Sequence, residues 1–343
     1  MNFPILCVLF TILRFSGAQE DQFAQCEAKC IFNDGTITSG NIGTFPKCAK
    51  VCSFLVIDET SGVTEKQLTT AFKNMKTLIG SLEIRNTNYK SASFLAGLQK
   101  VESAMAGIRI KENGEMLQLG WKNMTTTLVY YFEVVGNSKL QKLNLPKWKT
   151  FSCPVASCTT VGIMNTLTTP NFCFSAEELK VLSNQGVFCA VIAGKVCAPK
   201  ASNKKQCKKP TVGCQELVGN LNIGPKFDVK KVKALKFLFG GLIVKGTNLT
   251  NLNALGNLTR IVQMNVLKPS IDIQNNKQLK TIKMPKLERI MSGHWDNPII
   301  KNNNKALLTD VDSCLKIREV MQQGGEDKPV FGTLTCEQMG GSG

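Results

Sequence analysis

Cysteine is the residue type in this sequence whose number and spacing offer the most chemistry. The chain of 343 residues carries 14 cysteines and a single histidine. Cys26 and Cys30 are separated by three residues, as are Cys48 and Cys52, so each pair would lie one turn apart on one face of a helix. These four thiols could form disulfide bonds or hold a metal ion, but their spacing differs from the CxxC of zinc sites. We predict two disulfide bonds and no metal.

The distribution of the other cysteines predicts where the regular domains lie. Apart from Cys7, four cysteines precede residue 53, seven lie within residues 153–214, and two follow residue 313. Disulfide bonds are typical of oxidising compartments and reinforce regions with a small apolar core. The cysteine-free intervals 53–152 and 215–313 are therefore expected to be the folded domains. We also predict a helix over residues 315–321, between Cys314 and Cys336, which are expected to be disulfide-bonded.

The N-terminal residues favour secretion. An apolar segment over residues 6–13 is followed by Ser16 and Ala18, small residues that fit a cleavage site before Gln19. The alternative is an N-terminal membrane anchor, but the segment is shorter than the ~20 apolar residues that span a bilayer. We therefore predict a signal peptide over residues 1–18, a secreted, extracellular mature chain and no transmembrane anchor.

The two cysteine-free intervals repeat each other. Three segments of the first interval align without gaps with three of the second: 79–89 with 239–249, 94–101 with 254–261, and 137–148 with 276–287. The offset is 160 for the first two alignments and 139 for the third, so the first copy is 21 residues longer between them. That difference is nearly one unit of a shorter repeat.

The shorter repeat consists of apolar residues two positions apart. It recurs at steps of 24 to 29 residues, as Leu82/Ile84, Ile108/Ile110 and Phe132/Val134 in the first interval and as Leu242/Val244, Ile271/Ile273 and a weaker unit beginning at Ile299 in the second. Alternating apolar residues predict short strands with one buried face, and a repeat of this length predicts stacked coils. Asn86 and Asn275 follow such strands, and asparagine tolerates the left-handed conformation of a corner.

Two kinds of solenoid fold could produce this sequence pattern. Residues 249–257 are similar to the motif of a leucine-rich repeat, but this motif does not recur from coil to coil. Irregular steps with Gly and Asn corners favour a mainly β fold: two short right-handed parallel β-helix solenoids with short capping helices and a disulfide-rich linker. The expected order is a signal peptide (1–18), a disulfide-bonded N-terminal cap (19–52), the first solenoid (53–150), the cysteine-rich linker (151–209), the second solenoid (210–336) and a flexible tail (337–343).

The same segments resemble a known domain family. Residues 72–87 and 214–223 are similar to the receptor L domain of insulin and EGF receptors, and the layout is similar to that of secreted nematode proteins with two such domains. The resemblance covers roughly residues 48–150 and 210–336. It implies a short right-handed β-helix in each copy and the binding of an extracellular polypeptide. Because no kinase segment follows, we expect a decoy or co-receptor for an insulin- or EGF-like ligand or its receptor.

The outward residues of the first solenoid are the candidate ligand-binding residues. If the apolar pairs point inward, Glu83, Arg109 and Glu133 stack outward on successive coils, with Arg85 and Lys111 beside them. A flat ladder of exposed side chains on a rigid sheet suits a protein partner. The simpler interpretation is that opposite charges on neighbouring strands only stabilise the sheet, by a few tenths of a kcal/mol each.

The charge balance suggests a second class of partner. The chain has 42 Lys and Arg against 25 Asp and Glu, a net charge of +17. Lys204, Lys205, Lys208 and Lys209 are the candidate anion- or glycan-binding residues, and the alternative function is an extracellular matrix protein that binds sulfated glycans. A solvated lysine face that keeps the protein soluble explains the same cluster. Nucleic acid is not expected as a partner, because aromatic residues make up only 7% of the chain.

The remaining motifs predict modification rather than catalysis. Asn123, Asn248 and Asn257 each begin an Asn-x-Thr motif and are candidate glycosylation sites. The sequence contains no GxSxG, P-loop or GxGxxG motif, and His294 is its single histidine. We therefore predict a non-catalytic protein that needs no cofactor.

Overall fold

The computed structural model describes residues 23–153, 160–164, 171–184, 187–192, 194–199, 202–265, 267–292, 298–321 and 329–340. The predicted signal peptide and His294 lie outside these ranges. The chain divides into two compact units, residues 1–139 with 143–160 and residues 140–142 with 161–343. Over the described ranges, no helix is both long enough and apolar enough to cross a bilayer.

The first unit is a parallel β-solenoid. Its strands are β1 (Lys50–Ile57), β2 (Thr77–Arg85), β3 (Lys100–Ser103), β4 (Ile108–Lys111), β5 (Thr126–Val129), β6 (Tyr131–Val135) and β7 (Thr150–Ser152). Its helical segments are α1 (Glu65–Phe72) and the 3-10 turns Ala28–Cys30, Ile42–Thr44 and Ser93–Leu95. Parallel pairing runs through β1, β2, β4 and β6 on one side and through β2, β3, β5 and β7 on the other. A capping box between Thr64 and Gln67 starts α1.

The remaining strands belong to the linker and to a second solenoid. They are β8 (Thr160–Met164), β9 (Cys173–Phe174), β10 (Val187–Ile192), β11 (Lys195–Val196), β12 (Gln206–Cys207), β13 (Glu216–Val218), β14 (Leu221–Ile223), β15 (Phe237–Phe239), β16 (Leu242–Lys245), β17 (Arg260–Gln263), β18 (Ile271–Gln274), β19 (Arg289–Ser292), β20 (Ile299–Lys301), β21 (Val330–Phe331) and β22 (Leu334–Thr335). The helical segments are α2 (Ala176–Leu182), α3 (Val311–Val320), α4 (Cys336–Gly340) and the 3-10 turns Val229–Val232, Asn253–Leu255 and Lys305–Thr309. One sheet has the order β12-β13-β15-β17-β19 and the other β14-β16-β18-β20-β21-β22.

The predicted alternation sets which side chains fill each solenoid. Leu82, Ile108 and Phe132 are Cα partners on β2, β4 and β6, and all three are fully buried. Ile84 and Ile110 form the next inward pair and are fully buried as well. The predicted fold class, mainly β with two solenoids, short helices and disulfide bonds, is confirmed.

Each solenoid has one more coil at its start than the repeat analysis found. β1 pairs in parallel with β2, so Leu55 and Ile57 lie beside Leu82 and Ile84. In the second unit, β14 pairs with β16 in the same way. The first coil therefore begins at residue 50, inside the interval 19–52 that was assigned to the N-terminal cap.

The register of the last predicted coil was wrong by one residue. Ile299 was expected to continue the inward series, but it is the Cα partner of Asp272 on the outer face. Ile300 is the partner of Ile273 and is buried. Because two isoleucines are adjacent here, alternation alone does not specify which of them points inward.

Two disulfide bonds hold the N-terminal segment on the first coil. Cys26 is bonded to Cys52 and Cys30 to Cys48. The helix expected over residues 48–52 is wrong, because β1 begins at residue 50. Cys52 is fully buried on this strand, so the bond to Cys26 joins the segment directly to the solenoid.

Further disulfide bonds reinforce the linker and the C-terminal end. The described pairs are Cys173–Cys197, Cys207–Cys214 and Cys314–Cys336, and Cys153 is disulfide-bonded as well. The helix expected over residues 315–321 is present as α3. Residues 337–340, which were assigned to a flexible tail, belong to α4, and Arg318 on α3 forms an ion pair with Glu337.

Buried asparagines link successive coils at the corner that follows the second strand of each coil. Asn113 Oδ1 accepts hydrogen bonds from the Thr87 backbone N (3.1 Å) and Oγ1 (2.7 Å). Its Nδ2 donates to Ile84 O (3.0 Å) and to Asn137 Oδ1 (3.0 Å). We call this set the asparagine ladder: Thr87, Asn113 and Asn137 in the first unit, and Thr247, Asn276 and Asn303 with the same contacts in the second. Asn86 and Asn275 precede ladder residues and have φ of 52° and 60°, which confirms the predicted left-handed corners.

Candidate ligand-binding surface

Three charged side chains form a continuous row on the outer face of the first solenoid. Glu83, Arg109 and Glu133 are Cα partners on β2, β4 and β6, and they point outward because the residues beside them point inward. Arg109 Nε lies 2.6 Å from Glu133 Oε2, and Arg109 Nη1 lies 3.8 Å from Glu83 Oε2. We call these three residues the charged ladder.

The cation at the centre of the charged ladder is fixed in position. The guanidinium carbon of Arg109 lies 4.9 Å from the centroid of the Tyr131 ring, which orients it through a cation–π contact. Partial burial opposes the charge, but the hydrogen bond to Glu133 and the nearby Tyr131 and Glu83 raise the pKa of Arg109 above its ordinary value. Arg109 is therefore a permanent, oriented cation.

Arg85 extends the row at the end of β2. Its Nη2 lies 3.1 Å from Asp58 Oδ2, and its Nε lies 3.6 Å from Glu83 Oε1. Burial opposes the charge of Asp58, but hydrogen bonds from Thr60 and Arg85 hold the pKa of Asp58 below its usual value. Arg85 is thus engaged by two carboxylates.

Lys111 completes the group of five residues predicted from the sequence. It is the Cα partner of Arg85 on one side and of Val135 on the other. Within the described ranges it makes no ion pair, so its ammonium is the one predicted cation here that no carboxylate holds. The structure places all five predicted residues on one sheet face.

The sequence analysis missed three residues of this surface: Val56, Asp58 and Tyr131. Val56 is the Cα partner of Glu83, and Asp58 lies two residues after Val56, directly after the end of β1. The signal for both was the pair Leu55/Ile57, which precedes Leu82/Ile84 by 27 residues, within the repeat step. No sequence signal indicated that Tyr131 would contact Arg109.

The corresponding face of the second solenoid is less charged. Asn222, Ile243, Asp272 and Ile299 occupy the equivalent outward positions. Asp272 Oδ2 lies 2.6 Å from Lys245 Nζ, which is the one ion pair described on this face. The row of alternating charge is therefore particular to the first solenoid.

Comparison with known families assigns both solenoids to one kind of domain. The family model of the receptor L domain matches residues 47–129 and 213–319, which together are more than half of the chain. The chain belongs to the receptor L-domain family. A comparison with curated proteins gives no significant match. The receptor L domain is a non-catalytic ligand-binding domain, so the charged ladder lies on a domain whose known role is to bind.

One sheet of the second L domain is covered by the linker helix α2. Lys180 on α2 donates hydrogen bonds to Glu216 (2.5 Å) and Glu177 (3.0 Å). Arg260 on β17 donates to Lys180 O (2.7 Å) and to Asn184 Oδ1 (2.8 Å). Burial opposes the charge of Lys180, but the hydrogen bonds that it donates to the two glutamates raise its pKa, whereas burial lowers the pKa of Arg260. The linker helix therefore covers part of this face.

The four lysines predicted to bind anions lie at the start of the second L domain. Lys204 and Lys205 precede β12, and Lys208 and Lys209 lie in the short loop that the Cys207–Cys214 bond closes. All four are exposed. Anion binding at this cluster remains a prediction.

Two of the three Asn-x-Thr motifs occupy equivalent positions in the two L domains. Asn123 Nδ2 donates to Ala96 O (3.0 Å) and its Oδ1 accepts from Lys147 Nζ (2.8 Å). Asn257 makes the same two contacts with Lys233 O (2.9 Å) and Lys286 Nζ (2.8 Å). An asparagine that carries a glycan keeps one Nδ2–H, so these contacts are compatible with glycosylation.

We expect Asn123→Ala to lower the free energy of unfolding by about 1 kcal/mol, because it removes two hydrogen bonds between coils. Urea unfolding of protein whose glycans have been trimmed to the first sugar measures the change. Asn248→Ala is the matched control, since Asn248 is exposed and its loss removes a motif without a coil-to-coil contact. Equal changes for both variants would contradict the bridging role of Asn123.

Proposed function

We propose that this protein is secreted and binds an extracellular polypeptide through the charged ladder of its first L domain. It acts as a decoy or co-receptor for an insulin- or EGF-like ligand or for the receptor of such a ligand. The single observation that carries the proposal is the oriented, outward-facing Arg109 between two glutamates. Family membership supports ligand binding in general, and the ladder supports this surface.

The physical chemistry of the ladder favours a polypeptide ligand. Ion pairs and the Tyr131 ring already order the side chains, so a ligand meets a surface with little rotamer entropy left to lose. Positive and negative groups alternate along the row, so a partner is selected by its charge pattern rather than by its net charge. Tyr131 adds an amphipathic contact of the kind common at protein interfaces.

The disulfide bonds support an extracellular location. Five are described in full, and they join the N-terminal segment, the linker and the C-terminal helices. Such bonds persist in oxidising compartments and are rare in the cytosol. A secreted binding protein meets polypeptide hormones and receptor ectodomains in that environment.

Arg109→Glu is expected to weaken ligand binding by at least about ten-fold, because it replaces the central cation by a third carboxylate and reverses the charge pattern. The immobilised mature chain is used to capture polypeptides from extracellular fluid, and the captured species is then purified for Kd measurement. Circular dichroism verifies that the variant is folded.

Lys245→Glu in the second L domain is the matched control for this charge reversal. It disrupts the ion pair with Asp272 on the outward face of the equivalent sheet, and it should leave the Kd for the polypeptide unchanged. A polypeptide bound equally well by the wild type and by Arg109→Glu would refute the ladder as the binding surface. Capture of no polypeptide at all would refute the proposed function.

A further inference from the structure

The second L domain carries a row of lysines on its helical side, opposite in character to the charged ladder. We call it the lysine face: Lys226, Lys230, Lys231, Lys233 and Lys236 on the first coil, and Lys277, Lys280, Lys283 and Lys286 on the third coil. All nine are exposed. The two groups are about 40 residues apart in the chain, so the fold alone brings them together.

Hydrogen bonds between coils fix the geometry of this face. Thr259 N donates to Lys236 O (2.8 Å), and Glu288 N donates to Thr259 O (2.8 Å). Lys233 and Lys286 are bridged by the side chain of Asn257, as described above. Lysines of the first and third coils are therefore two strand spacings apart, or about 10 Å, on a rigid support.

The positive charge of the lysine face is largely uncompensated. The two segments that carry these lysines, residues 226–236 and 277–288, contain only two acidic residues, Asp228 and Glu288, and both have other partners. Asp228 Oδ1 accepts a hydrogen bond from the Lys230 backbone N (3.0 Å), and Glu288 lies 3.7 Å from Arg260. Lys283 is paired with Asp312 at 3.1 Å. Among the described residues, the other eight lysines have no ion pair.

The coil between the two lysine groups is neutral and polar. Residues 246–259 contain no charged side chain and present asparagines and threonines instead. A cleft of about 450 Å³ opens here, lined by Lys233, Asn251, Asn253 and Asn257 and by the apolar side chains of Leu249 and Leu252. Amides and leucines in one cleft offer hydrogen bonds to hydroxyl groups and a contact for the apolar face of a sugar ring.

We propose that the lysine face binds a linear sulfated polysaccharide. Its anionic groups would lie on the two lysine groups, and its sugar rings would cross the neutral coil between them. Lysine suits this partner because its ammonium is a point charge that pairs with a sulfate in many orientations. The surface is distinct from the charged ladder and from the four lysines 204, 205, 208 and 209 that the sequence favoured.

Other polyanions fit this face less well. Nucleic-acid surfaces combine cations with exposed aromatic rings for base stacking, and no described aromatic residue of these coils is exposed. A membrane surface would favour exposed large apolar side chains beside the lysines, whereas the one such side chain described in these coils, Leu267, lies in the segment between β17 and β18. Disulfide bonds place the protein where sulfated glycans are the abundant polyanions.

The test is the affinity of the full mature chain for a heparin octasaccharide at about 0.15 M ionic strength, with N-glycans trimmed to the first sugar. The triple variant Lys230→Gln/Lys233→Gln/Lys280→Gln should bind at least about ten-fold more weakly and with a shallower dependence on salt. Its matched control, Lys66→Gln/Lys90→Gln/Lys122→Gln, removes the same charge from exposed lysines of the first L domain and should stay within about two-fold of the wild type.

Several outcomes would overturn the proposal. Equal losses of heparin affinity in the two triple variants would show that only the net charge of the protein matters. A larger loss in Lys204→Gln/Lys205→Gln/Lys208→Gln/Lys209→Gln would move the site to the linker. Tighter binding to single-stranded DNA or to phosphatidylserine vesicles than to heparin would assign another polyanion. Because no polypeptide ligand enters this experiment, its failure leaves the proposed function of the charged ladder intact.

Discussion

Replacing Gly107 by alanine is expected to prevent the first L domain from reaching its native fold. A Cβ at this position would lie 1.9 Å from Tyr131 O and 2.8 Å from the carbonyl carbon of Tyr131. The obstacle is the backbone of the neighbouring coil, which cannot rotate away as a side chain can. Gly107 O also accepts a hydrogen bond from Leu82 N (3.1 Å), so the residue is held from both sides.

The expected cost of Gly107→Ala exceeds about 4 kcal/mol, beyond the usual range for overpacking, because coils must separate to admit the methyl group. The measurement is the yield of folded protein together with its urea unfolding curve. Gly114→Ala is the matched control in the same domain, since its Cβ would meet no atom closer than Ser138 Oγ at 4.0 Å. A variant at position 107 that unfolds at the wild-type urea concentration would disprove the close approach of the coils.

Asn113→Asp is expected to lower the free energy of unfolding by about 3–5 kcal/mol at neutral pH. Asn113 is fully buried, and its Nδ2 donates to two oxygens, Ile84 O and Asn137 Oδ1. The substitution keeps the shape of the side chain but turns these contacts into repulsion between a carboxylate and two acceptors. The loss therefore comes from charge and donor chemistry, with no cavity.

The stability of Asn113→Asp is also expected to depend on pH. Burial and the facing oxygens raise the pKa of the new carboxyl in the folded state above its unfolded value. A group with a raised folded pKa contributes stability below its unfolded pKa, and that stability is lost as pH rises through the folded pKa. The free energy of unfolding of the variant should therefore be close to that of the wild type at about pH 4 and should become lower than it toward neutral pH.

Urea unfolding at several pH values measures this difference. Asn86→Asp is the matched control, because Asn86 is exposed at the same corner and aspartate also tolerates its positive φ. The free energy of unfolding of this control should equal that of the wild type at every pH. A loss at position 113 that does not change with pH would show that the asparagine ladder acts through shape and not through its hydrogen bonds.

The sequence by itself determined the fold class and the orientation of most strands. Inward positions such as Ile84 and Ile110 follow from alternation, because successive side chains of a strand point to opposite faces. Asn86 and Asn275 indicated the corners, because few residues adopt a left-handed conformation without strain. These properties depend on a few neighbouring residues, so they can be inferred without knowing the partners of each strand.

Only the tertiary structure decided the registers and the composition of the surfaces. The first coil was missed because Cys48 and Cys52 have a spacing that also fits a helix, and contacts with β2 override that local preference. Because residues 299 and 300 are both isoleucine, the sequence does not specify the register of β20, and the register is known only from the pairing of β20 with β18. The contact of Tyr131 with Arg109 and the union of two distant lysine groups arise from stacking of coils, which brings together side chains that lie about one or two coils apart in the chain.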